Sequence, residues 1–149
     1  MVTIREARPD DVNRLHELVE ELEGHKIDVL DFCETFEHNM NDPDIYYYIA
    51  DDGGYPVGFV SLHVSRLLHH AGNIGEVQEL VVTEGVRGTG IGARLFQKAK
   101  QTAKERGCGQ LEVCCNRRRE KAHGFYEAQG QTRSHFKFTC TLKGTGEPT

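Results

Sequence analysis

A chain of 149 residues, 38% of them hydrophobic, fits one domain and is long enough to enclose an apolar core. Charged residues make up 28% and the net charge is −5, which argues against nucleic acid as a partner, because that usually leaves a basic footprint. No apolar run approaches the ~18 residues of a membrane span, the opening Met1-Val2-Thr3-Ile4-Arg5-Glu6 lacks the apolar core of a signal peptide, and the five cysteines show no C-x-x-C pairing, so a cytoplasmic protein with reduced thiols and no membrane partner is expected.

In chain order, Val2 to Ala7 alternates as an edge strand. Pro9 stands at a first helical position with Asp10 and Asp11 in the first turn, and Val12, Leu15, Leu18, Val19 and Leu22 recur at helical spacing, predicting a helix over 9–23 that ends at Gly24. A weaker helical pattern carries Leu30, Phe32, Cys33, Phe36 and Met40 until Asn41-Asp42-Pro43-Asp44 breaks it. Between the two lie Gly24, His25 and Lys26, either a cleft lining or a solvated loop. Ile45 to Ala50 and Val57 to Val64 are β-branched and aromatic around the turn Asp51-Asp52-Gly53-Gly54, which predicts an antiparallel hairpin.

Residues 66–73 read as a loop and Ile74 to Val82 as the next long strand, carrying Glu76, Gln78 and Glu79 among apolar residues. Ile91, Leu95, Ala99 and Ala103 then mark one face of a helix that Gly107 ends. Leu111 to Cys115 follows as a strand, paired in parallel through a right-handed crossover. Arg117 to Gln129 reads as a short helix closed by Gly130, and the alternation of Phe136, Phe138 and Cys140 predicts a last strand over His135 to Leu142. The expectation is an α/β (α+β) domain at 1–142, with a disordered tail at 143–149.

The turn between the long strand and its helix, Arg87-Gly88-Thr89-Gly90-Ile91-Gly92-Ala93, reads as an anion-binding turn. Glycines allow positive φ and close approach of a ligand. The first N–H groups of the following helix have no intrahelical acceptor and suit a phosphate or pyrophosphate. A P-loop is excluded because no Gly-Lys-Ser/Thr follows. The dinucleotide pattern G-x-G-x-x-G/A is met by Gly88, Gly90 and Ala93, but it belongs after the first strand of its unit, and here four strands come first.

Arg87, Gly90 and Gly92 also occupy the fixed positions of R/Q-x-x-G-x-G/A, and the chain resembles the GCN5-related N-acetyltransferases, the GNAT family, over residues 2–142. Arg5-Glu6-Ala7 with Asp10-Asp11, the strand Glu79-Leu80-Val81-Val82 and the segment Ala122-His123-Gly124-Phe125-Tyr126-Glu127-Ala128-Gln129-Gly130 stand where that family keeps its first helix, central strand and last helix. Two departures are Gln131, where an aromatic is usual, and Arg119, where Asn is common. Within the family, Leu62-His63, Leu68-His69-His70, Ile74 to Val82 and Ser134 to Phe138 look like the aminoalkylphosphonate N-acetyltransferases.

The resemblance implies a mixed, mostly antiparallel sheet of about six to seven strands flanked by about four helices, and acetyl-CoA as cosubstrate. It implies that Leu80, Val81 and Val82 offer backbone N–H groups to the thioester and pantetheine, that Arg87 to Ala93 (Gly88, Thr89, Gly90, Ile91 and Gly92 between them) hold the pyrophosphate, and that Asn116 and Tyr126 complete the coenzyme contacts. Tyr126 is the expected general acid toward the thiolate and Glu79 the expected base, acting through water, with Glu76 as its rival. Glu76, His69, His70 and His135 are the expected contacts of a small-molecule amine. Arg117, Arg118 and Arg119 face either the 3′-phosphate of the coenzyme or solvent. The narrower resemblance implies a divalent cation, for which no ligand spacing is diagnostic. A homodimer, a peptide acceptor and a non-catalytic coenzyme A-binding module stay open alternatives.

Overall fold

The computed structural model describes residues 1–115 and 119–143. The elements are β1 (Val2–Glu6), a 3-10 turn at Pro9–Asp11, α1 (Val12–Glu23), α2 (Val29–Met40), β2 (Ile45–Asp52), β3 (Tyr55–Leu67), a 3-10 turn at Leu68–His70, β4 (Gly72–Val82), a 3-10 turn at Glu84–Val86, α3 (Ile91–Glu105), β5 (Leu111–Val113) and α4 (Glu120–Ala128). The strands lie in the order β1-β2-β3-β4-β5. The first three pairings are antiparallel and β4 with β5 is parallel, as the crossover through α3 requires. Residues 1–113 and 114–149 form two compact units.

The helical stripes dictate the packing of the first unit. Leu15, Leu18 and Val19 of α1 and Phe36 of α2 form one buried cluster with Ile49, Phe59 and Val81 from three adjacent strands. On the opposite sheet face α3 buries Leu95, Phe96, Ala99 and Ala103. It comes close because two strand residues lack a side chain: a Cβ at Gly58 would stand 3.0 Å from Leu95 Cδ1, and one at Gly75 3.2 Å from Ala103 Cβ. Phe96, Leu15, Leu18 and Leu95 are among the largest fully buried side chains, each stabilising by about 1.5–3 kcal/mol. Arg5 fastens the sheet edge: its guanidinium gives two 2.9 Å bonds to the Asp11 carboxylate and one of 2.7 Å to Asp51.

Three expectations change. Residues 66–73 are not a loop: β3 and β4 pair out to Leu67 opposite Gly72, closed by the 3-10 turn and by Ala71 at φ +52°. The fifth strand ends at Val113 rather than Cys115. The strand expected over His135 to Leu142 is absent: residues 131–142 hold no regular element, and Phe136 and Phe138 are each 93% exposed. Alternation creates an apolar face, but a strand forms only when its backbone groups find a ladder, and here they do not. The sheet therefore has five strands among the described residues, fewer than expected, while the mixed, mostly antiparallel α/β class holds and the described residues carry four α-helices as expected.

Candidate active site

The central feature is an irregularity of β4. Val60 pairs with Leu80 and Leu62 with Val77, so Ser61 alone stands opposite both Gln78 and Glu79. This is a β-bulge, which re-aims a side chain where strict alternation would not put it. Glu76 and Glu79 are three residues apart and would alternate to opposite faces. The extra residue brings both to the face that carries Phe59 and Val81. Glu79 is half-buried there. Its N–H donates to Ser61 Oγ at 2.9 Å, and the Ser61 hydroxyl donates to its Oε1.

The neighbours of Glu79 on this face are polar. Tyr47 lies opposite Ser61 on β2. Its phenol accepts a 2.7 Å bond from Asn39 of α2 and is pushed above its ordinary range by burial, against the lowering effect of Asn39, with the charge of Glu79 adding to the rise. One step along, His63, Glu76 and Glu112 are ladder partners on β3, β4 and β5, which sets three side chains in a row. Gln78 donates to Glu76 Oε1. His70 reaches Glu112 at 3.6 Å, whereas His69, beside it with ring centroids 4.4 Å apart, is exposed. Thus Glu76 and His70 come to the sheet face of Glu79. His135 belongs to the second unit and is exposed, its Nδ1 2.6 Å from Ser134 Oγ. Among the described residues no three His, Cys, Asp or Glu side chains are placed to hold a metal ion, so this donor set does not fit the divalent cation that the narrower resemblance implies.

Beyond the bulge, β4 has one open edge among the described residues. Its ladder with β5 stops at Val77 opposite Val113, while Leu80, Val81 and Val82 remain paired with β3. Backbone groups of these residues that face away from β3 are left for another partner. Arg87 Nε closes the end of the strand with a 2.9 Å bond to the Val82 carbonyl.

The glycine turn follows directly. Gly88 and Gly90 have φ of +81° and +85°, and a Cβ at either would meet nothing within 4 Å, so backbone conformation rather than space requires glycine there. Thr89 Oγ1 donates to the Val86 carbonyl at 2.5 Å. Gly90 is the N-cap of α3 and supplies no side-chain cap, which leaves the first-turn N–H groups of Ile91, Gly92 and Ala93 pointing outward with the helix dipole behind them. Arg87 is exposed and bridges to Glu21 of α1 at 3.0 Å, so a phosphate there would compete with a surface carboxylate for it. The connection before α2 is pinned as well: Ile27 N–H donates to Glu20 at 2.8 Å and its carbonyl meets His16 Nε2 at 2.7 Å.

In the second unit Tyr126 lies on α4 and is buried. Its phenol is pushed up to about 12, chiefly by burial and further by the Cys115 thiol, with Arg119 opposing. It therefore stays protonated across the neutral range. Asn116, Arg117, Arg118 and residues 144–149 of the expected tail lie outside the described residues. Sequence reasoning assigned no role to Ser61, Tyr47 or Glu112. A hydroxyl between Val60 and Leu62 in an apolar strand is the one signal that points to the first.

Residues 11–131 match the model of the acetyltransferase (GNAT) family. The chain is 39% identical over 139 residues to an aminoalkylphosphonate N-acetyltransferase of Salmonella typhimurium, covering 93% of this chain and 90% of that one. It is 27% identical to a glucosamine 6-phosphate N-acetyltransferase of Candida albicans, over 74% of each chain. Among solved structures, a transcriptional regulator from Bacillus halodurans superposes with a TM-score of 0.89 at 24% identity, over 95% of this chain and 100% of that one. A glucosamine-6-phosphate N-acetyltransferase from Arabidopsis thaliana gives 0.81 at 18%, over 96% and 99%. At those identities the two structures speak for the fold.

Proposed function

The chain is an acetyltransferase of the GNAT family, and from that premise we propose that it moves the acetyl group of acetyl-CoA onto the primary amine of a small aminoalkylphosphonate. The amine nitrogen attacks the thioester carbonyl and the carbon–sulfur bond breaks. Before the attack Glu79 takes one ammonium proton through a water and later releases it to solvent; Tyr126 gives its proton to the departing thiolate, and the second proton, shed by the nitrogen as the amide forms, restores the phenol. The open edge of β4 at Leu80 to Val82 supplies N–H groups to the carbonyl oxygen as charge builds on it, and the turn Arg87 to Ala93 holds the pyrophosphate.

The observation that carries this reading is the placement of Glu79: a half-buried carboxylate, fixed by a hydroxyl, on the strand whose free edge would take the thioester. A carboxylate half-buried on a sheet face is costly unless it has a partner or a task. Glu76 and Glu112 beside it suit the ammonium end of a substrate, and the exposed imidazole of His69 suits its phosphonate. The likeness to the Salmonella typhimurium enzyme over nearly the whole chain supports the same acceptor class. Tyr126, protonated well above neutral pH, has the charge state of an acid.

Thiol release with 2-aminoethylphosphonate tests the roles. Glu79→Gln and Tyr126→Phe should each lower kcat by about 100-fold or more, with acetyl-CoA affinity within about twofold of the native protein. Unaltered turnover in either variant would remove that residue from the mechanism.

A further inference from the structure

We infer that Ser61 is a positioning residue for the acetyl transfer: its buried hydroxyl holds the Glu79 carboxylate in one orientation and so selects Glu79 over Glu76 as the base. The inference deepens the reading above and rests on it. A serine hydroxyl has one hydrogen to give and lone pairs to receive with. The Glu79 N–H can only donate, and it donates to Ser61 Oγ at 2.9 Å. The hydroxyl hydrogen goes to Glu79 Oε1. Backbone and carboxylate of one residue are thus tied to one atom, a closed ring that leaves the side chain no free rotation and leaves Oε2 as the oxygen for a water and its proton.

Ser61 has no exposed surface, so solvent cannot stand in for it. Its cross-strand neighbour on β2, Tyr47, has its own partner in Asn39. The bulge creates the arrangement, since only there does one residue of β3 face two of β4. Glu76 has a different kind of support. Its partner is the side chain of Gln78, an exposed residue two positions along the same strand, which water can replace. Of the two carboxylates, one is locked by a buried group and the other is held by a surface group.

A purely structural role for Ser61, capping the bulge, predicts lower stability and an equal loss of turnover whatever stands at position 79. A positioning role predicts dependence on Glu79. The test is a double-mutant cycle with 2-aminoethylphosphonate and acetyl-CoA, reading kcat, KM for each substrate and Tm for Ser61→Ala, Glu79→Gln and the double variant. The expected result is a roughly 10- to 100-fold loss of kcat for Ser61→Ala, unchanged KM for acetyl-CoA, no further loss in the Glu79→Gln background, and recovery in Ser61→Thr. Should Ser61→Ala not fold, Ser61→Cys, nearly isosteric and a weak donor, carries the same comparison. If Glu79→Gln retains native turnover, the base assignment fails and this inference with it. If Glu79→Gln is impaired but Ser61→Ala is not, or the two losses multiply, the base stands and the role of Ser61 is overturned.

Discussion

Replacing Gly90 by alanine separates conformation from space at the glycine turn proposed to hold the pyrophosphate. The native φ is +85° and a Cβ at that position meets nothing within 4 Å, so the whole cost is that of holding an L residue in the left-handed region, about 1–2 kcal/mol. That cost has two outlets. If the turn keeps its shape, both free and bound forms carry the strain, and Tm falls by about 3–8 °C for a protein of this size. If the turn relaxes, stability is spared and binding must restore the shape, which weakens acetyl-CoA by roughly 5- to 30-fold. Differential scanning fluorimetry and calorimetric titration with coenzyme A read the two outlets together, and their sum should come to about 1–2 kcal/mol. Gly90→Asn, a residue that visits this region more readily, should recover most of the loss. Gly58→Ala is the contrast: its Cβ would stand 3.0 Å from Leu95 Cδ1 and 3.2 Å from the Val81 carbonyl, so it should cost about 1–3 kcal/mol of stability with coenzyme affinity unchanged. A Gly90→Ala protein native in both Tm and affinity would refute the reasoning.

Arg5→Met should cost about 3 kcal/mol at neutral pH, because it strands the carboxylates of Asp11 and Asp51. Hydrogen bonds from Arg5 hold Asp51 below the usual carboxylate range. At Asp11 burial pushes the other way but is outweighed by bonds from Arg5 and the Arg8 N–H. With both folded values depressed, this stability is present above about pH 4 and lost as pH falls through them, so acid denaturation curves of the native protein should steepen there and those of Arg5→Met should not. Gly124→Ala, mid-way along α4 where a Cβ meets nothing within 4 Å, should raise stability by about 0.5–1 kcal/mol in chemical denaturation; a lower midpoint would show that α4 needs a glycine there.

The features legible in the sequence were those set by local periodicity. Leu15, Leu18 and Val19 announced the buried stripe of α1, the β-branched runs announced the central strands, and the glycines with Arg87 announced the turn that the structure places at the N-terminus of α3. What was missed depends on a partner elsewhere in the chain. Counting along β4 cannot reveal the bulge, because it exists only in register against β3, and with it the shared face of Glu76 and Glu79 and the task of Ser61. Nor can alternation in Phe136 and Phe138 reveal whether a ladder receives them. The pairing of His70 with Glu112 likewise joins two segments that no spacing rule connects.

The most direct test of the account is thiol release from acetyl-CoA by the native protein across matched amines: 2-aminoethylphosphonate, ethanolamine, glucosamine 6-phosphate and a peptide with a free N-terminus. The account predicts kcat/KM for the aminophosphonate at least about 100-fold above the others, as when a site built for polar groups loses its partners, with the N-acetylated phosphonate as product. Equal or greater efficiency with the peptide, or no release with any amine despite coenzyme A binding, would contradict it.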